Sequence, residues 1–233
     1  MGNAVERSDL TESQLKYKPI SPTTYVDGVP IDLYSVINKR EDLIDQLVQM
    51  DCGFSSIDTN GCGALHLAAR DNTNSLYTIF TNTSHHHLYD NNNRTPLHYA
   101  VIHGQRNHYS LLREQVFDQD DQGDTPLHLA VRKGCIYSVQ QLMELCPAHP
   151  YRYYSYYLMN EASVLSCIVE NNKHETVLIY AITHGMIDVI KVLAYYPLVI
   201  DEQINGKSAK DHTIYLARSK KDVALQILNL INH

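Results

Sequence analysis

Asn93–Gly104 reads NRTPLHYAVIHG and Gln122–Gly134 reads QGDTPLHLAVRKG, with the two Thr-Pro-Leu-His boxes 30 residues apart. Self-similarity at such a period limits a chain to architectures in which each repeat is one supersecondary unit that buries its apolar face only against its neighbours. The box also states how each unit begins. Thr95 stands where an N-cap oxygen must accept from the orphan N–H groups of a helix start. Pro96 follows at the first helical position, where a missing N–H costs nothing. Leu97 and Ala100 face the stack, and Ala is small so that neighbouring helices can approach closely. His98, three residues after Thr95, reaches its hydroxyl or the loop backbone. Gly104 permits the tight turn into a second helix through Tyr109, Leu111 and Leu112.

Weaker copies flank the two clear ones. Leu33, Val36, Ile37 and then Leu43, Ile44, Leu47, Val48 recur at helical steps, with a turn at Asn38–Asp42. They predict two short amphipathic helices in a degenerate first unit. A second unit starts at Asp58, where Gly63-Ala64 replaces Thr-Pro, and its second helix runs through Leu76, Ile79 and Phe80. In the fourth unit, Asp120–Gly123 is a hairpin turn, Thr125–Lys133 an inner helix and Ile136–Leu145 an outer one. The period then fails, because Leu127 and Leu178 are 51 residues apart. The extra residues fall near 147–172, in a Tyr-rich insertion. A fifth unit opens at Thr176, with its second helix over Met186–Tyr196. A last unit begins at Gly206, and its final helix contains Val223, Leu225, Ile227, Leu228 and Ile231. Ahead of everything, residues 1–30 carry Pro19, Pro22 and Pro30 and read as an irregular N-terminal arm. The alternative there is that Tyr25–Val29 docks on the first unit as a cap.

The period and the Thr-Pro-Leu-His-x-Ala core resemble the ankyrin repeat. That resemblance covers residues 31–233 and implies an all-α solenoid of about six helix-turn-helix repeats with short β-hairpin fingers. It also implies that His66, His98 and His128 are framework rather than catalysts. The family's usual role is binding other proteins through finger tips and the exposed face of the inner helices. Carried over by position, the contact residues are Thr59, Asn60, Arg70 and Asp71, then Asn91, Asn92, Arg94, Ile102 and His103. They continue with Asp121, Gln122, Asp124, Arg132 and Lys133, and with Glu175, Thr183 and His184. Tyr153 and Tyr154 of the insertion join them. Divergent, Asn- and Tyr-rich ankyrin proteins with irregular insertions resemble those that intracellular bacteria or viruses direct at host proteins, which implies action in host cytoplasm.

Composition narrows the partner. The net charge of −7 and pI near 6.0 argue against duplex nucleic acid, which needs a basic surface. Seventeen Tyr suit binding surfaces, since the ring can be buried while the hydroxyl stays wet. Asp118, Asp120, Asp121 and Asp124 crowd one hairpin as a solvated loop or an acidic finger for a basic partner. Five scattered Cys without a CxxC pair, and a polar Met1–Leu10, point to free thiols in a reducing, cytoplasmic compartment. No apolar run approaches the ~20 residues of a membrane span. Three adjacent His, His85–His87, converge poorly on one ion and read as a loop. Gly206-Lys-Ser is no P-loop, because Asp201 stands where the first Gly is required. No cofactor or metal is expected, and the chain is expected to be monomeric alone. The competing reading is a Cys/His hydrolase on the same scaffold, using Cys146 or Cys167 with His149 or His174.

Overall fold

The computed structural model describes residues 8–71, 73–83, 89–145, 169–194, 203–204, 207–216 and 221–231. They fall into two compact units, residues 1–111 and 112–233.

The first unit opens with structure where the prolines suggested none. Strands β1 (Asp9–Leu10), β2 (Tyr25–Val26) and β3 (Val29–Pro30) make a small sheet, β1 parallel and β3 antiparallel to β2. The hairpin turn is Asp27-Gly28, both with positive φ (49° and 79°), the pair that matches the twist of its flanking strands. Val26 is fully buried and β3 runs directly into α1 (Ile31–Ile37), so this hairpin packs on the first helix. Tyr25–Pro30, within the segment read as an irregular arm or a cap, thus forms a hairpin against α1.

Helices α2 (Glu41–Gln49), α3 (Ala64–Asp71), α4 (Leu76–Asn82) and α5 (Pro96–His103) follow. The first helices of successive repeats, α1, α3 and α5, pack side by side, with α2 on α1 and α4 on α3. Close approach is possible because Ala68 and Ala100 present only a methyl and have zero exposure. After α5 the expected second helix is absent. Arg106–His108 is a single 3₁₀ turn, and turns continue through Leu111.

The second unit begins with another 3₁₀ turn, Arg113–Gln115. It continues with α6 (Pro126–Arg132), α7 (Ile136–Leu145), α8 (Val177–His184) and α9 (Ile187–Leu193), then with the strand pair β4 (Gln203–Ile204) and β5 (Lys207–Ser208), α10 (Ala209–Leu216) and α11 (Lys221–Ile231). Here α6, α8 and α10 form one layer and α7, α9 and α11 the second. Ala130 and Ala181 are fully buried between the inner helices. The β4–β5 pair is antiparallel, Gln203 opposite Ser208. The insertion is shorter at its end than the sequence suggested. Asn171 and Asn172 belong to the hairpin before α8, where Asn171 N–H donates to Glu175 O at 3.0 Å.

Candidate functional site

The hairpin fingers are built on one repeated loop. Asp58, Asp90, Asp120 and Asn171 each accept, on one side-chain oxygen, the backbone N–H groups two and four residues ahead. The distances are 2.8 and 2.8 Å at Asp58, 2.8 and 2.8 Å at Asp90, 2.8 and 3.0 Å at Asp120, and 2.9 and 3.1 Å at Asn171. The residue three places on is left-handed in every case, with φ of 79° at Gly61, 56° at Asn93, 72° at Gly123 and 57° at His174.

Within each unit one finger is bonded to the next. Asn91 donates its N–H to Asn60 O (2.9 Å) and its side-chain amide to Thr59 O (3.1 Å). Asn172 repeats this on Gln122 O (2.9 Å) and Asp121 O (2.8 Å). The approach leaves no room for a side chain: a Cβ on Gly123 would lie 2.6 Å from Asn172 N.

This architecture takes two of the four clustered acids, Asp120 and Asp124, out of the exposed surface. Asp120 holds the loop, and Asp124 is buried at 1 % exposure. Asp124 accepts from Asn171 Nδ2 at 3.0 Å and pairs with Arg132, whose Nη2 lies 3.1 and 3.0 Å from its two oxygens. Of the crowded acids, Asp121 alone is exposed, and Asp118 is half-buried. Asp124 is thus framework rather than a contact residue, because a carboxylate so deeply buried needs its cation and amide partners.

The box histidines are framework by geometry. His66 Nδ1 accepts the Gly63 N–H (3.2 Å), which fixes the proton on Nε2, and Nε2–H donates to Arg94 O in the next finger (3.0 Å). Because this bond needs only a backbone N–H, the second repeat keeps it without Thr-Pro. His128 does the same with Thr125 N–H (3.2 Å) and Glu175 O (3.1 Å). Burial holds the His128 imidazole below its ordinary pKa, outweighing the Glu175 carbonyl bond that favours the proton. His98 Nδ1 accepts the Thr95 N–H at 3.1 Å. None of these rings faces solvent.

Between framework positions, side chains reach the surface. Thr59, Asn60, Asn92, Asp121 and Gln122 are exposed on the fingers, and His103, Lys133, Thr183 and His184 at the ends of inner helices. Asn91 is exposed but holds the finger contact above. Arg70, Asp71, Arg94, Ile102, Arg132 and Glu175 are half-buried. Arg70 forms a two-bond pair with Asp71 (2.8 and 2.6 Å), which holds that carboxyl below its usual pKa.

Two inner helices carry an aromatic pair that spacing alone could have announced. Tyr-x-x-x-His-Gly occurs at Tyr99–Gly104 and again at Tyr180–Gly185, and i, i+4 side chains meet on one helix face. Tyr99 lies nearly parallel to His103 (centroids 6.4 Å, 9°), and Tyr180 stacks on His184 (4.0 Å, 21°). Arg132 lies over the Tyr180 ring at 5.2 Å, anchored from behind by Asp124. Tyr99 donates its hydroxyl to Asp90 Oδ2 (2.7 Å), and Cys62 Sγ lies 3.0 Å from the Tyr99 hydroxyl oxygen. Burial raises the Cys62 and Cys52 thiols, so neither is a poised nucleophile.

Tyr153 and Tyr154 lie outside the described residues, as do His85–His87 and Cys146, His149 and Cys167 of the hydrolase reading. His174 is exposed, with Nδ1 2.9 Å from Glu170 Oε2. Among the described residues no group of His, Cys, Asp and Glu has the arrangement of a metal site, and no helix is long and apolar enough to cross a membrane.

A family model for ankyrin repeats in three copies matches residues 33–115, 65–153 and 119–205. No curated protein matches the chain in sequence. Among solved structures, the chain is similar to an ankyrin repeat domain from Acinetobacter baumannii. The two are 18% identical with a TM-score of 0.65, over 86% of this chain and 95% of that one. It is also similar to the ankyrin repeat domain of Bcl-3, a member of the IkappaB family, at 19% identity and a TM-score of 0.66, over 86% of this chain and 82% of that one.

Proposed function

Because the chain belongs to the ankyrin-repeat family, we propose that it is a non-enzymatic protein-binding module, an adaptor or inhibitor. In this reading it holds its partner through finger tips and the outward ends of the inner helices. One observation carries the proposal: the exposed positions alternate with the bonded ones. Asp121 and Gln122 project from a loop whose N–H and C=O groups are bonded within the fold, and Lys133, Thr183 and His184 project from helices whose box residues are buried. A scaffold fixed by its backbone tolerates change at such positions without loss of fold. The contact set in this reading is Thr59, Asn60, Asn92, Ile102, His103, Asp121, Gln122, Lys133, Thr183 and His184, with Arg70, Asp71, Arg94 and Glu175 at its edges and Tyr153 and Tyr154 from the insertion. Arg132 and Asn91 serve mainly the scaffold. The Asn- and Tyr-rich composition and the long insertion support a refinement, a host-directed effector working in host cytoplasm.

The test is capture of protein partners from eukaryotic cell lysate by the immobilised chain, quantified by mass spectrometry. The double substitution Lys133→Glu, His184→Glu is expected to remove the specifically captured protein while leaving thermal unfolding within a degree or two. Undiminished capture by this variant, and by His103→Glu, Gln122→Arg, would place the contact elsewhere.

A further inference from the structure

The missing second helix after α5 leaves an open cleft of about 500 Å³ in the first unit, within the range of ligand pockets. One wall is Thr73, Asn74, Leu76 and Tyr77 at the start of α4; the other is Asn107, His108, Ser110 and Leu111 of the 3₁₀ segment. The two walls match in chemistry: each offers a hydroxyl, a carboxamide, a leucine and an aromatic ring. Neither carries an ion among its described residues. Tyr77 is 66% exposed, an unusual amount for so large a ring, and Asn74, Asn107 and Ser110 are exposed as well. Two further polar atoms of these residues, Thr73 Oγ1 and His108 Nε2, are buried without a hydrogen-bond partner, and burial lowers the pKa of His108, keeping it neutral. Buried polar atoms are nearly always bonded, and those that are not ask for a reason.

We propose that this cleft binds an extended, uncharged peptide segment of the partner protein, a contact separate from the fingers and inner helices. The proposal rests on the protein-binding reading above and adds to it a place and a chemistry. An extended main chain presents donors and acceptors along both edges. A carboxamide both donates and accepts, so Asn74 and Asn107 on opposite walls can each bond one edge. Leu111 and the Tyr77 ring supply apolar contact for small neutral side chains. The absence of any Lys, Arg, Asp or Glu among the described wall residues disfavours a charged segment, which would lose hydration without gaining a counter-ion.

The experiment is selection of random heptapeptides displayed on phage against the full chain, followed by titration of the selected peptides. Tyr77→Ala and the pair Asn74→Ala, Asn107→Ala change exposed side chains and are checked for unchanged circular dichroism and melting. The expected result is enrichment of neutral peptides whose Kd rises about tenfold or more in both cleft variants and is unchanged in Lys133→Glu, His184→Glu. Peptides that lose affinity only in the latter variant would overturn the cleft proposal while leaving the protein-binding reading intact. No enriched peptide, or binding of neutral saccharides in a parallel panel with no peptide binding, would overturn it too.

Discussion

Replacing His128 by Ala tests whether the box histidine is framework. The ring is 2% exposed and makes contacts at 3.2 Å to Thr125 N, 2.9 Å to Thr125 Oγ1 and 3.1 Å to Glu175 O. Each such bond contributes about 1 kcal/mol net, and its loss also strands the Glu175 carbonyl and the Thr125 N–H. The sum is about 3 kcal/mol, before any cost of the space left by the ring. His184, exposed on the same unit and stacked on Tyr180, is the matched control; its replacement by Ala should cost about 0.5 kcal/mol or less. Urea titrations at pH 7.5, followed by far-ultraviolet circular dichroism with equal m-values, measure both. A His128→Ala variant within 0.5 kcal/mol of the parent, or a His184→Ala variant as damaging as His128→Ala, would refute the division into framework and surface.

Three further outcomes follow from the same geometry. His128 has its pKa lowered by burial, so its contribution to stability is complete above the unfolded value of about 6.5 and is lost as pH falls below it, where only the unfolded chain takes up the proton; urea midpoints from pH 8 to 5 should fall in the parent and fall less in His128→Ala. Gly104→Ala meets open space and should cost only the left-handed backbone term of about 1–2 kcal/mol, whereas Gly123→Ala also collides with Asn172 and should cost clearly more by the same titration. Cys52 and Cys62 are buried with raised thiol pKa values, so iodoacetamide at pH 7.5 should label them only after urea is added, as read by peptide mass spectrometry.

Much of this fold could be read from residues because its signals are local. Thr95 and Thr125 announce their helices by capping chemistry, and the Ala at each box centre announces close packing; both are decided within a few residues. The degenerate second repeat was readable for a related reason, since His66 works through a backbone N–H that Gly63 still provides. What escaped depended on partners far along the chain. The burial of Asp124 rests on Asn171, 47 positions away, so within its own repeat Asp124 reads only as one of four clustered acids in a solvated loop or an acidic finger. Asn91 looked like a contact residue because its bonds to the neighbouring finger are invisible in its own repeat. Arg132, a contact residue by position, is held between Asp124 and Tyr180, which only the folded helices bring beside it. The segment after α5 has apolar residues at Tyr109, Leu111 and Leu112, yet it folds into 3₁₀ turns rather than a second helix. The Asp27-Gly28 turn carried a hairpin signal that three nearby prolines obscured.

The central claim is that partner proteins meet this chain at the positions lying between framework residues. Site-specific photo-crosslinking tests it most directly, with benzoylphenylalanine placed at Gln122 on a finger, at Thr183 on an inner helix, and at exposed Gln140 on α7 as the outer-layer control. In cell lysate, the account predicts one common crosslinked protein from Gln122 and Thr183 and none from Gln140. A partner crosslinked through Gln140 but through neither of the other two would contradict it.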